Sequence, residues 1–164
     1  MRCLIANDID FVLNGYHIVL KQYFELVDCA ENGLAAFDLV KSHSIDFYDY
    51  IFLDINMPIM NGVEACAAIS RYLREKTLKN LISVSDQSFR SHKRPKIIAV
   101  TADIRKDQIA KLYKNNFTKV INCINHENVE RLFEKNHKNA GIVFNSAEPK
   151  SKKSPKIEAL NELY

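Results

Sequence analysis

Tryptophan is absent from this 164-residue chain, and glycine, proline and cysteine occur only 4 times each. Scarce glycine and proline exclude a collagen-like fibre. The cysteines, Cys3, Cys29, Cys66 and Cys123, are far apart and form no C-x-x-C pair, the usual mark of a zinc site or a redox dithiol. Reduced thiols, mostly buried, in a reducing compartment are expected. No run approaches ~18 apolar residues, so no transmembrane helix is expected. The amino-terminal MRCLIANDID lacks the apolar stretch of a secretory signal. Together these point to an intracellular, cytoplasmic protein. Nucleotide-binding text is missing as well: there is no G-x-x-x-x-G-K-[ST] and no G-x-G-x-x-G. None of the 5 histidines lies in an H-x-x-H pair.

What is present suits one domain with a sizeable core, since 47% of the residues are hydrophobic. The formal charge, 23 Lys+Arg against 20 Asp+Glu, is too balanced to indicate nucleic acid. Short apolar runs alternate with stretches of helical period. Cys3-Leu4-Ile5-Ala6 reads as a buried strand closed by Asn7-Asp8. Val12, Tyr16, Val19 and Tyr23 follow at helical spacing, with Leu20 and Phe24 beside them. Leu26 to Ala30, Tyr50 to Leu53, Ile97 to Val100 and Val120-Ile121 are the remaining strands. Helices are expected around Leu34 to Val40, from Val63 to about Glu75, around Ile109 to Tyr113, and after a cap at Asn125. Strand and helix thus alternate five times, the pattern of a doubly wound α/β domain with a five-stranded parallel sheet covered on both faces.

Two stretches fall outside the repeat. Residues 77–96 read as a basic insertion between the third helix and the fourth strand, with Arg90, His92, Lys93, Arg94 and Lys96. After Lys138 the chain turns rich in Asn, Ser, Lys and Pro, so residues 1–138 are expected to form the domain and 139–164 a flexible polar tail. That tail is too short and polar to hold a folded DNA-binding domain, and no nucleic-acid partner is expected.

Doubly wound sheets bind ligands outside the carboxyl ends of their strands, where strand order reverses. Asn7 and Asp8 follow the first strand, Asp54 ends the third, and Thr101 follows the fourth. With strand order 2-1-3-4-5 these residues converge on one pocket. Two neighbouring carboxylates repel unless one is protonated or a cation sits between them. A hard ion such as Mg2+ suits oxygen ligands, and a carboxylate beside it can attack a phosphoryl group. The Thr101 hydroxyl can donate to a phosphoryl oxygen. Since no nucleotide motif is present, the phosphoryl group has to come from a partner.

The segments Leu4-Ile5-Ala6-Asn7-Asp8, Ala30-Glu31-Asn32-Gly33, Phe52 to Gly62 (FLDINMPIMNG) and Ile97 to Ala102 (IIAVTA) carry a family resemblance. Over roughly Arg2 to Lys135 the chain resembles the receiver domain of two-component response regulators and hybrid histidine kinases. The stretch around Asp54, with Met57-Pro58 and Gly62, is the most specific part. The resemblance implies a flavodoxin-like receiver fold. It implies that Asp54 accepts a phosphoryl group from a phosphohistidine on a histidine kinase or a histidine phosphotransfer protein. Asp8, Asp54 and the main-chain carbonyl of Asn56 would ligate Mg2+, Asn7 would act on the ion only weakly and through water, and Thr101 would sense the phosphoryl group. The readout would be a shift of the face formed by the fourth helix, fifth strand and fifth helix.

Departures from the family qualify this reading. Asn7 stands where the family has a first acid. If Asn116 takes the place of the family's glycine after the fourth helix, Cys123 falls where the family has a lysine, Ile124 where it has proline, and Val120 at the aromatic switch position. Lys119 is expected to precede the strand and to point elsewhere. Two other readings follow. One is a degenerate receiver acting as a phosphorylation-independent interaction module. The other is an aspartyl-phosphate phosphatase, which needs an acid two residues after its nucleophile; here that residue is Asn56, which cannot transfer a proton, so no enzyme activity is expected. Asp8 also suits an N-cap of the first helix.

Overall fold

The computed structural model describes residues 1–83 and 93–134, with the backbone alone for 81–83. Ten elements alternate: β1 (Arg2–Ala6), α1 (Asp10–Leu20), β2 (Leu26–Ala30), α2 (Gly33–Ser42), β3 (Tyr50–Asp54), α3 (Gly62–Ser83), β4 (Lys96–Val100), α4 (Lys106–Lys114), β5 (Lys119–Ile121) and α5 (His126–Phe133). The strands form one parallel sheet in the order β2-β1-β3-β4-β5. This is the doubly wound, flavodoxin-like receiver fold expected from the sequence.

Side-chain alternation along each strand explains the continuous apolar runs. Leu4 and Ala6 of β1, Ile51 and Leu53 of β3, and Ile97 and Ala99 of β4 enter one core with residues of α2, α3 and α4. Their neighbours Cys3, Ile5, Tyr50, Phe52, Ile98 and Val100 enter the other, with residues of α1 and α5. Both faces are covered, so the central strands are apolar throughout apart from the end residues Arg2, Asp54 and Lys96, and no polar alternation appears.

Two helices and one strand depart from the sequence reading. α1 stops at Leu20, and its fully sheltered positions are Leu13 and Leu20, with Tyr16 and Val19 only partly buried. Phe24 lies beyond the helix, edge-on to the rings of Tyr50 and Phe52 at 5.6 and 6.2 Å. Its period matched the helix while its contact is made by the connecting turn. α3 runs on to Ser83, so residues 77–83 of the expected insertion are helical; Thr77 Oγ1 donates to the Leu73 carbonyl one turn back. Residues 84–92 of that insertion, and the expected tail 139–164, lie outside the described residues. Lys119 is the first residue of β5, not an outlier before it, and its Nζ donates to the Arg131 carbonyl of α5.

Cys3 and Cys66 are buried, Cys29 is exposed and Cys123 half-buried, and all four are free thiols. Burial pushes the Cys66 thiol up to about 11 and also raises Cys123, so neither is a ready thiolate. No helix among the described residues is long and apolar enough to cross a membrane.

Candidate functional site at the carboxyl ends of the strands

Strand order reverses between β1 and β3, and a cavity of about 480 Å3 opens there. Asn7, Asp8, Asp54, Asn56 and Thr101 all line it. Each site residue expected from the sequence is therefore brought to one place, although the positions span most of the domain.

Asp54 ends β3 and is half-buried. Its Oδ1 accepts from the Asn56 backbone N–H at 3.2 Å, and its Oδ2 accepts from Asn7 Nδ2 at 2.8 Å. Burial raises its carboxyl above the usual range; the N–H groups of Asn56 and Ile55 oppose that rise, and the nearby charge of Asp8 adds to it. Such a carboxylate gains from a bound cation.

Asn7 is nearly fully buried, and both ends of its amide are used. Its Oδ1 accepts from the Ile9 backbone N–H at 2.9 Å. That N–H can only donate, so it fixes the amide orientation and turns Nδ2 toward Asp54. Asn7 thus acts first on the Asp54 carboxylate, a contact the sequence did not suggest. Asp8 is exposed in the loop, and the N-cap of α1 is Ile9, so Asp8 does not cap the helix. Thr101 is buried; its backbone N–H donates to the Ile121 carbonyl at 3.0 Å, and its Oγ1 accepts from the Asp103 N–H at 3.2 Å. Its hydroxyl proton is left to donate.

The loop after Asp54 folds back by close backbone approach. Gly62 N–H donates to the Ile55 carbonyl at 3.1 Å, and a Cβ on Gly62 would collide with the Asp54 carbonyl. This is why glycine stands there in the motif. Gly33 N–H similarly donates to the Met60 carbonyl at 3.0 Å, where a Cβ would also collide. Between them Ile59 takes φ 69°, a left-handed conformation costly for a β-branched residue.

Three further cavity residues with polar side chains escaped the sequence reading: Tyr16 of α1, Asp103, and Asn122 just after β5. Asp103 is held below the usual carboxylate range by Arg105, which bonds both its oxygens at 2.8 and 2.9 Å. Asn116 has φ 70°, as suits the place of a glycine. Yet it is Asn122, not Cys123, that lines the cavity; the Cys123 sulfur is instead met by the amides of Asn125 and Asn128. The strand-end rule applied to β5 would have found Asn122, and the alignment anchored on Asn116 passed over it. Neither residue supplies a cation, and among the described residues lining the cavity there is no lysine or arginine.

A doubly wound domain with paired carboxylates and a hydroxyl at its switch point is the architecture of a signalling receiver. The profile of the response regulator receiver domain matches residues 3–130, and the chain belongs to that family, whose proteins serve two-component signalling. The chemotaxis protein CheY of Halobacterium salinarum is 35% identical over 71 residues, 43% of this chain and 57% of that protein. Histidine kinase 3 of Arabidopsis thaliana is 35% identical over 108 residues, 63% of this chain and 10% of the kinase. The chain thus spans little more than half of the first relative and a tenth of the second. Among solved structures, the receiver domain of Ssk1 in complex with the histidine phosphotransfer protein Ypd1, from Saccharomyces cerevisiae, is similar at TM-score 0.63 and 19% identity, covering 80% of this chain and 85% of that one. Chemotaxis protein CheY4 of Vibrio cholerae reaches TM-score 0.59 at 17% identity, covering 80% of this chain and 93% of that one. At these identities the structures speak for the fold.

Proposed function

We propose that Asp54 accepts a phosphoryl group from a phosphohistidine of a histidine kinase or histidine phosphotransfer protein, with Mg2+ at Asp8 and Asp54. The observation that carries this reading is the shared cavity: a half-buried, charge-strained Asp54 beside Asp8, with the Thr101 hydroxyl across from them. The donor set fits the ion, being two carboxylates and the Asn56 carbonyl, all hard oxygens, with room for waters. When bound, Mg2+ would neutralise the paired carboxylates and the incoming phosphoryl oxygens.

The chain's own residues divide the rest of the work. Asp54 Oδ1 accepts from the Asn56 N–H and Oδ2 from Asn7 Nδ2, and the carboxylate has further lone pairs for attack. The bond from phosphorus to the histidine nitrogen breaks as the bond to an Asp54 oxygen forms. The nitrogen leaves with the bonding pair and takes its proton from solvent. Thr101 donates to a phosphoryl oxygen, and its movement biases the face formed by α4, β5 and α5 between two arrangements. Ile9, which lines the cavity, is 54% exposed, and Phe11 in the first turn of α1 is 87% exposed. Exposed apolar side chains in the segment that follows Asp8 suit a protein donor better than a small solute. Turnover of free phosphate esters is not part of this reading, because Asn56 offers no acid.

The test is acetyl phosphate with Mg2+ on the purified chain, read by mass spectrometry. An adduct on Asp54 that Asp54→Asn abolishes is expected; no adduct defeats the reading. A second reading, a phosphorylation-independent interaction module, draws on the lack of a lysine or arginine among the described cavity residues and on Asn7 already occupying Asp54. A Mg2+ titration separates them, since binding in the millimolar range or tighter is expected only for the first.

A further inference from the structure

A phosphoryl group on Asp54 would bring negative charge into a cavity whose described lining includes Asp8, Asp54 and Asp103 but no lysine or arginine. Neutral donors must meet it instead, and Thr101 is one of them. Asn122 follows β5 directly and lines the cavity beside Thr101, whose N–H is bonded to the preceding carbonyl of Ile121.

The orientation of the Asn122 amide is set from behind. Asn128, in the first turn of α5, is fully buried. Its backbone N–H is held by the capping Asn125 Oδ1 at 2.8 Å. Its Nδ2 donates to the Cys123 carbonyl at 2.8 Å, and a carbonyl can only accept, so the Asn128 amide has one orientation. The same Nδ2 donates to Asn122 Oδ1 at 3.0 Å. With Oδ1 engaged, the N–H groups of Asn122 are what this side chain offers the cavity. The cost is visible: Asn128 Oδ1 is buried without a hydrogen-bond partner. An apolar residue at that position would avoid the orphaned oxygen, but it would leave Asn122 free to present its own oxygen to the phosphoryl group.

We infer that Asn122 is the phosphoryl-binding donor contributed by β5, a neutral group where a cation is missing, and that buried Asn128 is the positioning residue that aims it. This rests on the reading of Asp54 as phosphoryl acceptor. Two amides in series replace a charge: one contacts the ligand, the other decides which end of the first faces it.

The experiment uses beryllofluoride with Mg2+ on the full chain, with affinity read by fluorine NMR and folding checked by thermal unfolding. Asn122→Ala is expected to weaken uptake about tenfold, the scale of one lost hydrogen bond to a charged ligand. Asn122→Asp is expected to weaken it further, and Asn122→Lys to match or exceed the unaltered chain. Asn128→Ala is expected to weaken uptake in the unaltered chain but not in the Asn122→Lys background, because an ammonium has no wrong end to present. A merely structural role for Asn128 would cost the same in both backgrounds, and that result overturns the positioning claim. If the unaltered chain takes up beryllofluoride through Asp54 and folded Asn122→Ala does so equally well, the inference fails and the acceptor reading stands. If the unaltered chain takes up none, both fall.

Discussion

Asn7 Nδ2 lies 2.8 Å from Asp54 Oδ2, a side-chain bond across two neighbouring strands 47 residues apart. It gives the Asp54 carboxylate a neutral donor within the protein. A carboxylate at position 7 would instead add a negative charge beside Asp54 and Asp8.

Asn7→Asp should therefore trade stability for cation affinity. Without Mg2+ the variant loses a hydrogen bond to a charged group and gains repulsion, so it should unfold more easily by about 2 kcal/mol. Mg2+ should bind it more tightly than the unaltered chain and restore the loss by mass action. Thermal unfolding across a Mg2+ series reads both effects; equal Mg2+ dependence in the two proteins would contradict the assignment.

Gly62→Ala should damage the site through the backbone. The added methyl meets the Asp54 carbonyl, which belongs to the sheet and cannot swing aside. A destabilisation of about 1–3 kcal/mol is expected from such overpacking. Denaturant midpoints give the stability, and the Mg2+ affinity should fall with it.

Ile59 works in the other direction. Its φ of 69° is paid by a β-branched, 78% exposed side chain. Ile59→Gly should relieve about 1 kcal/mol of strain, offset in part by the freer unfolded chain. A raised melting temperature is the expected outcome.

Asp49 should contribute acid-sensitive stability. Burial alone would raise its carboxyl, but the Arg2 backbone N–H at 2.9 Å, Lys93 Nζ at 3.3 Å and the chain amino terminus together hold it below the usual value. A group lower in the folded than in the unfolded chain stabilises above its unfolded value, near pH 4, and loses that contribution as pH falls through its folded value. Asp49→Asn should be less stable at neutral pH by about 1 kcal/mol, with the gap to the unaltered chain closing in acid. Urea melts between neutral pH and acid test this; a gap independent of pH would refute it.

The alternation of strand and helix was legible from the chain alone, because a strand buried on both faces must be apolar at every position and a helix packed on one side must not. The strand-end rule then named Asn7, Asp8, Asp54 and Thr101 before any contact was seen, and all four line one cavity. Gly62 was readable as a motif, though not the reason for it, which is the approach of one backbone to another. What the sequence left open were distances and orientations between segments. The period of Tyr23 and Phe24 was helical while α1 ends at Leu20. The residue after β5 that faces the cavity is Asn122 rather than Cys123, a one-position difference that composition does not register. Which end of Asn7 meets Asp54, and which end of Asn122 meets the cavity, is decided by the Ile9 N–H and by the Cys123 carbonyl through Asn128. An amide has two nearly isosteric ends, and only the backbone groups folded against it determine which one acts.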